Sequence, residues 1–301
     1  MSLLVQDIVK MAERQLSAAG IEDCKTDAEL LYCWLKRIER ARFFMEWGEP
    51  ADDLTCEKYF RAVERRCSHE PLQHITGTQD FMGMTFTVKP TVLIPRLDTE
   101  VVCGKAEAMF RETKGDLILD LCCGSGAIGV ALGHRNPKAK VTAVDIDPEA
   151  VALTKQNADE WAVKMTVKQG NLYEPVQRKK YNMIVSNPPY IPTEVIETLM
   201  PEVKDHEPMS ALDGGNDGLD FYRQIIAGAA DHLKKEGILV LEIGHDQSRA
   251  VESLIMEQES FCDITTSKDL AGNDRVVTAL KIGKERPGRL SWSNGKSTVA
   301  I

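Results

Sequence analysis

Residues 117–132 read LILDLCCGSGAIGVAL, and this stretch decides the fold. Residues 117–121 form an apolar run with the length of a buried parallel strand. A turn that contains two glycines follows, and small apolar residues from Ala127 onward begin a helix. Because glycine lets the backbone come close to a ligand, we expect a nucleotide-like cofactor to lie across this turn. The cofactor-binding candidates in the turn are Cys122, Cys123, Gly124, Ser125 and Gly126.

A second predicted strand supplies a carboxylate for the same cofactor. Residues 140–145, KVTAVD, end in Asp145, roughly twenty residues after the glycine turn. A carboxylate at this spacing is suited to accept hydrogen bonds from ribose hydroxyls, so we assign the ribose to Asp145. Asp147 competes for this role. It precedes Pro148, however, and proline fits the first helical position, so we interpret Asp147 as a helix N-cap.

The remaining strands and helices also alternate. The predicted strand 165–169 ends in Gly170, Asn171 and Leu172. If the cofactor carries an adenine, we expect Asn171 and Leu172 to lie beside it. Asn171 is also a common turn residue. A helix over 218–235 leads into a buried strand over 237–244, and segments around Ile264 and over 275–280 close the sheet. Alternation of this kind predicts a parallel sheet with right-handed crossovers.

Residues 186–190, SNPPY, follow the apolar run 181–185 and should lie at the carboxyl end of a strand, where open α/β sheets bind ligands. Both prolines lack an N–H and stiffen the turn, so we expect its carbonyl oxygens to face outward unpaired. Such acceptors beside the Asn187 amide and the Tyr190 ring suit a planar group with an NH2. A carboxamide, an adenine and a guanine all meet this requirement.

The first quarter of the chain is helical in pattern, with apolar residues three and four apart between residues 3 and 69. Thr26 and Glu29 predict a capping box at the start of a second helix. A further helix is expected to start near Thr55. These segments predict a small helical domain.

A connector follows the helical segments. Residues 71–77 break the helical period, and the alternation over 81–88 is typical of a strand, so we interpret this part as hairpin-like. Asp98 or Thr99 is expected to cap a helix that runs to about Glu112.

Composition bounds the function. The chain has 301 residues and a net charge of −9, which argues against a large nucleic-acid footprint. Eight cysteines occur without a Cys-x-x-Cys pair, which favours reduced thiols and no metal site. No run has the length of a membrane span, and the start has no basic flank or cleavage site. We therefore expect a cytoplasmic protein that does not enter a membrane.

The glycine turn, Asp145 and the Asn187–Tyr190 turn together resemble class I S-adenosylmethionine-dependent methyltransferases that act on planar nitrogen. Further stretches make the chain similar to the release-factor glutamine methyltransferase family, also called HemK or PrmC. These stretches are 71–77 with 93–100, 206–220 and 269–277. The resemblance covers the chain except for about the last eighteen residues.

The resemblance implies an α/β, Rossmann-like fold with a seven-stranded, mostly parallel sheet that has one antiparallel strand. It implies an N-terminal helical, substrate-protein-binding domain over 1–72 and a β-hairpin linker over 73–96. The S-adenosylmethionine-dependent methyltransferase domain would span 97–283, and a mobile tail would span 284–301.

The resemblance also implies the reaction, which is methyl transfer from S-adenosylmethionine to the side-chain nitrogen of the glutamine in the Gly-Gly-Gln motif of class 1 peptide chain release factors. The cofactor leaves as S-adenosylhomocysteine, and a monomer that needs no metal is expected. The carried-over roles are Cys122 to Gly126 as the cofactor loop, Asp145 at the ribose, Asn171 and Leu172 by the adenine, and Asn187, Pro188, Pro189 and Tyr190 around the glutamine amide. Asn187, Pro188 and Tyr190 would be catalytic, with Asn187 also bordering the cofactor. Cys122 stands where the family commonly has glycine, and His74 where it commonly has tyrosine.

Three other functions fit part of the pattern. An adenine- or guanine-N-methylating nucleic-acid enzyme would use the same turn, but the acidic charge and the lack of an added basic or aromatic-rich recognition region argue against it. A glutamine methyltransferase of a ribosomal protein shares the tetrapeptide, although 71–77 and 270–277 favour the release-factor enzyme. A non-catalytic adaptor that senses S-adenosylmethionine would have no need of the Asn187 turn.

Overall fold

The structure is a computed structural model, and it describes residues 3–113 and 115–283. The tail over 284–301, predicted to be mobile, lies outside these residues. The N-terminal part is helical, as the spacing of its apolar residues predicts. Its helices are α1 Val5–Ala18, α2 Cys24–Lys36, α3 Arg40–Glu46, α4 Asp53–Cys67 and α5 Leu72–Thr76. They bury one shared core, whose largest side chains are Ile8, Leu16, Leu31, Tyr32, Phe43 and Tyr59.

The connector is a two-stranded antiparallel hairpin, β1 Thr78–Phe81 and β2 Met84–Thr87. The alternation over 81–88 predicted one strand, but the chain turns at Met82 and Gly83. Both residues have positive φ, 54° and 75°, as a tight hairpin turn with a right-handed twist requires. The hairpin prediction is confirmed. Its first strand, β1, begins at Thr78, before the segment 81–88 in which apolar and polar residues alternate.

The rest of the described chain is an α/β sheet domain. Its first elements are α6 Leu97–Arg111, β3 Leu117–Leu121, α7 Ala127–Arg135, β4 Lys140–Asp145, α8 Pro148–Glu160, β5 Met165–Gln169 and β6 Tyr181–Ser186. A 3-10 turn at Glu174–Val176 lies between β5 and β6. The later elements are α9 Thr193–Ile196, α10 Pro201–Lys204, α11 Met209–Leu212, α12 Asp220–His232, β7 Leu233–Glu242, α13 Ser248–Met256, β8 Phe261–Lys268 and β9 Asp274–Lys281.

Seven strands form the main sheet in the order β5-β4-β3-β6-β7-β9-β8. β9 runs antiparallel to both of its neighbours, and the pairs from β5 to β7 are parallel. The predicted fold class is therefore confirmed, including the single antiparallel strand. Apolar side chains on both faces of the inner strands are buried beneath helices, which explains why these strands are mainly apolar. The edge strands β5 and β8 are more polar and more exposed.

Three local predictions are wrong, each because a tertiary contact prevails over a local preference. Helix α2 begins at Cys24, so the capping box at Thr26 does not form, and Asp27 pairs instead with Arg66. Neither Asp98 nor Thr99 caps α6, which begins at Leu97. The helix predicted over 218–235 ends at His232, because the next residue already pairs with Tyr181 of β6.

Ion pairs connect the helical part to the sheet domain. Arg66 Nε lies 2.7 Å from Asp27 Oδ2, and its Nη1 lies 3.0 Å from Oε1 of Glu202 in α10. His69 Nδ1 is 3.0 Å from the same oxygen of Glu202. Residues 208–211 and 213, which follow Glu202 in the chain, line the cavity described below.

Candidate active site

A cavity of about 670 Å3 opens at the carboxyl ends of β4, β3 and β6. This volume lies in the range of small-molecule sites. Nine of the residues predicted from sequence line it, and these are Cys122, Cys123, Gly124, Ser125, Asp145, Asn171, Leu172, Asn187 and Pro189. Gly126, Pro188 and Tyr190 are not among its lining residues. The cavity thus brings the glycine turn and the Asn187 turn together, since β3 and β6 are neighbours.

Asp145 stabilises the glycine turn from the end of β4. Its Oδ2 accepts the Gly124 N–H at 2.8 Å, and its Oδ1 accepts the Asp147 N–H at 3.0 Å. Burial raises the pKa of Asp145, and these two backbone hydrogen bonds counteract the rise. A backbone hydrogen bond from Ile146 acts in the same direction. A carboxylate has about four acceptor positions, so these hydrogen bonds do not occupy all of them. The N-cap prediction is confirmed for Asp147, whose side chain accepts the Glu149 N–H at 2.9 Å.

Cys122 has φ of 55°, in the left-handed region that favours glycine. The glycine that the family commonly has here is therefore explained by backbone conformation, and the cysteine adopts the same conformation. Burial raises the pKa of the Cys122 thiol, so at neutral pH the thiol is neutral. Behind the turn, burial raises the pKa of Asp120 to about 8, and its Oδ2 accepts the Gly129 N–H at 2.9 Å.

Gly126 shapes the turn without lining the cavity. Its φ is 81°, and a Cβ at this position would lie 2.8 Å from Cγ2 and 3.2 Å from Cα of Thr154 in α8. Thr154 cannot withdraw, because its hydroxyl donates to the Gly124 carbonyl at 2.8 Å. Glycine is therefore required here by backbone conformation and by space.

Replacing Gly126 by alanine is expected to destabilise the protein by about 2 to 3 kcal/mol, through left-handed strain and overpacking. Gly104→Ala is the matched control, because Gly104 lies within α6 and a Cβ there meets nothing within 4 Å. It should stabilise by roughly 0.5 to 1 kcal/mol through helix propensity. Urea unfolding of both variants measures the difference, and equal effects would show that the turn tolerates a side chain.

The Asn187 turn presents acceptors. Asn187 Nδ2 donates to Thr99 Oγ1 at 3.3 Å. Four oxygens of the turn accept no hydrogen bond from residues 3–113 and 115–283. They are Asn187 Oδ1 and the carbonyl oxygens of Asn187, Pro188 and Pro189. The carbonyl oxygens of the turn were expected to be unpaired, but that of Tyr190 accepts a hydrogen bond from Gln247 Nε2 at 2.9 Å. The turn thus keeps free acceptors beside the cavity, except at its last residue.

Sequence reasoning missed several side chains around this turn. Thr99 was interpreted as a helix cap, yet it contacts Asn187 and lines the cavity. Glu242 ends β7, is 1% exposed and lies with Oε1 3.5 Å from Tyr190 Oη. Arg96 lines the cavity and pairs with Glu207, a buried residue that also accepts the Ile94 N–H at 3.1 Å. A lone carboxylate in an apolar strand was the one signal available for Glu242.

Among the residues that the structure describes, no group of three or more histidine, cysteine, aspartate and glutamate side chains is arranged to hold a metal ion. Over the same part of the chain, no helix has both the length and the apolar character needed to cross a membrane.

Comparisons with known proteins agree with this architecture. A family profile described as PrmC N-terminal domain matches residues 7–77, and one described as Methyltransferase small domain matches residues 106–201. The release factor glutamine methyltransferase of Geobacter sulfurreducens is 39% identical over 273 residues, covering 91% of this chain and 95% of the relative. The chain belongs to the release factor glutamine methyltransferase family. The family expected from the motifs is thereby confirmed.

A second relative and a solved structure extend the comparison. The release factor glutamine methyltransferase of Moorella thermoacetica is 39% identical over 272 residues, which cover 90% of this chain and 96% of that relative. A crystal structure of a methyltransferase from Pyrococcus furiosus superposes with a TM-score of 0.51 over 67% of this chain and 90% of that one. At 17% identity, it shows a shared fold only.

Proposed function

We propose that this protein transfers a methyl group from S-adenosylmethionine to the side-chain amide nitrogen of the glutamine in the Gly-Gly-Gln motif of class 1 peptide chain release factors. The observation that carries the proposal is the free acceptor set of the Asn187 turn, at the edge of the cavity that also contains the glycine turn and Asp145. The names of the relatives point to the same substrate.

The residues present fit S-adenosylmethionine. Asp145 would hold the ribose, because its carboxylate lines the cavity and keeps acceptor positions. Ile146 and Leu172 line the same end with apolar surface, and Asn171 adds a polar group there, which together suit an adenine. Cys122, Cys123, Gly124 and Ser125 bring backbone to the cavity, where the amino-acid portion of the cofactor would lie. When bound, S-adenosylmethionine supplies a methyl group that is activated by its sulfonium.

The Asn187 turn would hold the glutamine. A carboxamide nitrogen is a weak nucleophile, since its lone pair is conjugated with the carbonyl, so the main task of the protein is orientation. Asn187 Oδ1 and the Asn187 and Pro188 carbonyls would accept from the two hydrogens of the NH2, with Pro189 forming the adjacent wall. Orientation of this kind contributes about 7 to 11 kcal/mol in favourable cases. The same acceptors stabilise positive charge as it develops on nitrogen.

Tyr190 would pack against the amide plane. Its ring is not among the cavity-lining residues, and its hydroxyl points to Glu242. The glutamine side chain would therefore contact the Tyr190 ring only after it has moved from the cavity into the Asn187 turn. No general base is proposed, because asparagine cannot accept the proton, and the proton would pass to water after transfer.

The partner assignments follow from the same site. The helices over 1–72 would bind the release factor, the hairpin over 73–96 would link them to the methyltransferase domain at 97–283, and the protein would act as a cytoplasmic monomer. It would bind no nucleic acid directly and need no metal.

Incubation with radiolabelled S-adenosylmethionine and one acceptor at a time tests the substrate assignment. The acceptors are a class 1 release factor, a release factor with Gly-Gly-Ala in place of Gly-Gly-Gln, ribosomal protein and duplex DNA. Label should enter only the first. Labelling of ribosomal protein or DNA at an equal or higher rate would contradict the proposal.

A further inference from the structure

Gln247 is a buried glutamine that the proposed mechanism does not use. It is 7% exposed and lies between the end of β7 and the start of α13. Its Nε2 donates to the Tyr190 carbonyl at 2.9 Å and to the Gly218 carbonyl at 3.3 Å. Its Oε1 accepts the Gly244 N–H at 2.9 Å. One side chain therefore joins the Asn187 turn, the loop over 213–219 and the segment that follows β7.

The partners of Gln247 fix the orientation of its amide. Tyr190 and Gly218 present carbonyl oxygens, which only accept, and Gly244 presents an N–H, which only donates. The reversed amide would place its oxygen against two oxygens and its NH2 against an N–H. Each hydrogen of the NH2 has an acceptor and the amide oxygen has a donor, so this buried group is fully paired in one orientation.

Gly218 allows these segments to meet. Its φ is 72°, and a Cβ there would lie 2.3 Å from the Tyr190 carbonyl oxygen and 2.6 Å from Gln247 Nε2. The same loop approaches the turn at Gly214, where a Cβ would lie 2.7 Å from Tyr190 Cα. The Gly214 N–H also donates to the Ile191 carbonyl at 2.9 Å. The end of the Asn187 turn is thus packed directly against the backbone of this loop.

The Asn187 turn needs an anchor that leaves its substrate-facing oxygens free. Pro188 and Pro189 have no N–H through which the turn could be held. Their carbonyl oxygens and that of Asn187 accept nothing from the part of the chain that the structure describes. Tyr190 has the one carbonyl of the turn that accepts from these residues, and its donor is Gln247. The anchor therefore lies just beyond the oxygens that stay free.

We propose that Gln247 is a positioning residue for methyl transfer, because it holds the end of the Asn187 turn and thereby the direction of the free oxygens. Once the Tyr190 carbonyl is released, the two prolines before it can turn with it, since no described residue donates to their carbonyls. A misplacement of about 1 Å can slow a reaction roughly 100-fold. This inference rests on the proposed function, in which these oxygens receive the glutamine NH2.

Gln247→Met tests the role by kinetics, because methionine has a similar length but cannot donate to the two carbonyls. We expect kcat for release-factor methylation to fall about 10- to 100-fold through misorientation. KM for the release factor and affinity for S-adenosylhomocysteine should stay within about threefold. Ser248→Ala is the matched control, since Ser248 Oγ bonds Asp274 Oδ2 at 2.7 Å and has no bond to the turn. Its kcat should stay within about twofold of the wild type.

Gly218→Ala is an independent test that leaves Gln247 in place. The added Cβ should separate the Tyr190 carbonyl from Gln247 Nε2, so kcat should again fall while cofactor affinity is kept. Gly272→Ala is its control, because Gly272 has φ of 89° and a Cβ there meets nothing within 4 Å. This control carries the left-handed strain without the clash, and its kcat should match the wild type.

A merely structural role predicts a different pattern. Gln247→Met and Ser248→Ala would then both lower the melting temperature by a few degrees and leave kcat unchanged below it. Wild-type kcat in Gln247→Met, or a loss of S-adenosylhomocysteine affinity as large as the loss of kcat, would overturn the proposal. Should Gln247→Met fail to fold, Gly218→Ala and its control decide by the same criteria.

Hydrogen–deuterium exchange needs no turnover and separates this inference from the proposed function. In Gln247→Met, peptides covering 191–199 and 210–218 should exchange several-fold faster than in the wild type, and a peptide covering the glycine turn at 121–130 should not. Ser248→Ala should match the wild type in all three. If the wild type methylates no release factor, the proposed function fails while this exchange still decides the role of Gln247. Unchanged exchange over 191–218 in Gln247→Met would refute that role.

Discussion

Replacing Asn187 by alanine is expected to reduce kcat for release-factor methylation by about 100- to 1000-fold, the usual effect of removing one positioned hydrogen-bonding group from a transition state. The side chain supplies the one amide oxygen of the turn, and Thr99 holds its nitrogen at 3.3 Å. Single-turnover kinetics at saturating S-adenosylmethionine measure the loss directly.

The same variant should bind S-adenosylhomocysteine nearly as tightly as the wild type, because Asp145 and the glycine turn remain in place. Asn171→Ala is the matched control, since Asn171 lines the cavity at the end proposed for the adenine. It should change KM for S-adenosylmethionine by a few fold and leave kcat nearly unchanged. If Asn187→Ala weakens cofactor binding as much as it slows turnover, the division of roles between the two turns is wrong.

Replacing Asp145 by alanine is expected to weaken S-adenosylhomocysteine binding by roughly 100-fold or more. Hydrogen bonds to a charged group contribute about 1.5 to 3 kcal/mol each. The variant loses the hydrogen bonds between the Asp145 carboxylate and the ribose hydroxyls of the cofactor. It also loses the acceptor for the Gly124 N–H, which holds the glycine turn. Isothermal titration gives the affinity, and kcat at saturating cofactor should change less than fivefold.

Asp147→Ala is the control for this experiment, because Asp147 also lines the cavity and lies two residues away. Its carboxylate caps α8, so the variant should lose about 1 kcal/mol of stability. Its affinity for S-adenosylhomocysteine should stay within threefold. The opposite pattern, with Asp147 controlling affinity, would transfer the ribose assignment to that residue.

The sequence could predict the parts of the site that depend on local pattern. β3, β4 and β6 are short, mainly apolar runs, and a parallel sheet fixes where their carboxyl ends meet. Asp145 and Asn187 therefore reach one cavity for topological reasons. Asp147 was predictable as a cap because the proline after it restricts the backbone.

The side chains that support the site could not be predicted in this way. Thr99 sits near the start of α6, where a local rule favours capping, but its contact with Asn187 joins residues 88 positions apart. Glu242 ends an apolar strand, and sequence alone does not show that Tyr190 lies opposite. The start of β7 at Leu233 was missed because it depends on pairing with β6. In each case a long-range contact prevails over a local preference.

The central claim is that the Asn187 turn captures a primary carboxamide and directs its nitrogen at the methyl group. Tandem mass spectrometry of the Gly-Gly-Gln peptide, after reaction of a release factor with deuterated-methyl S-adenosylmethionine, tests it most directly. The account predicts one labelled methyl group on the side-chain nitrogen of the glutamine, absent with Asn187→Ala. A labelled methyl group on any other atom or residue of the release factor, or its persistence in Asn187→Ala, would contradict the account.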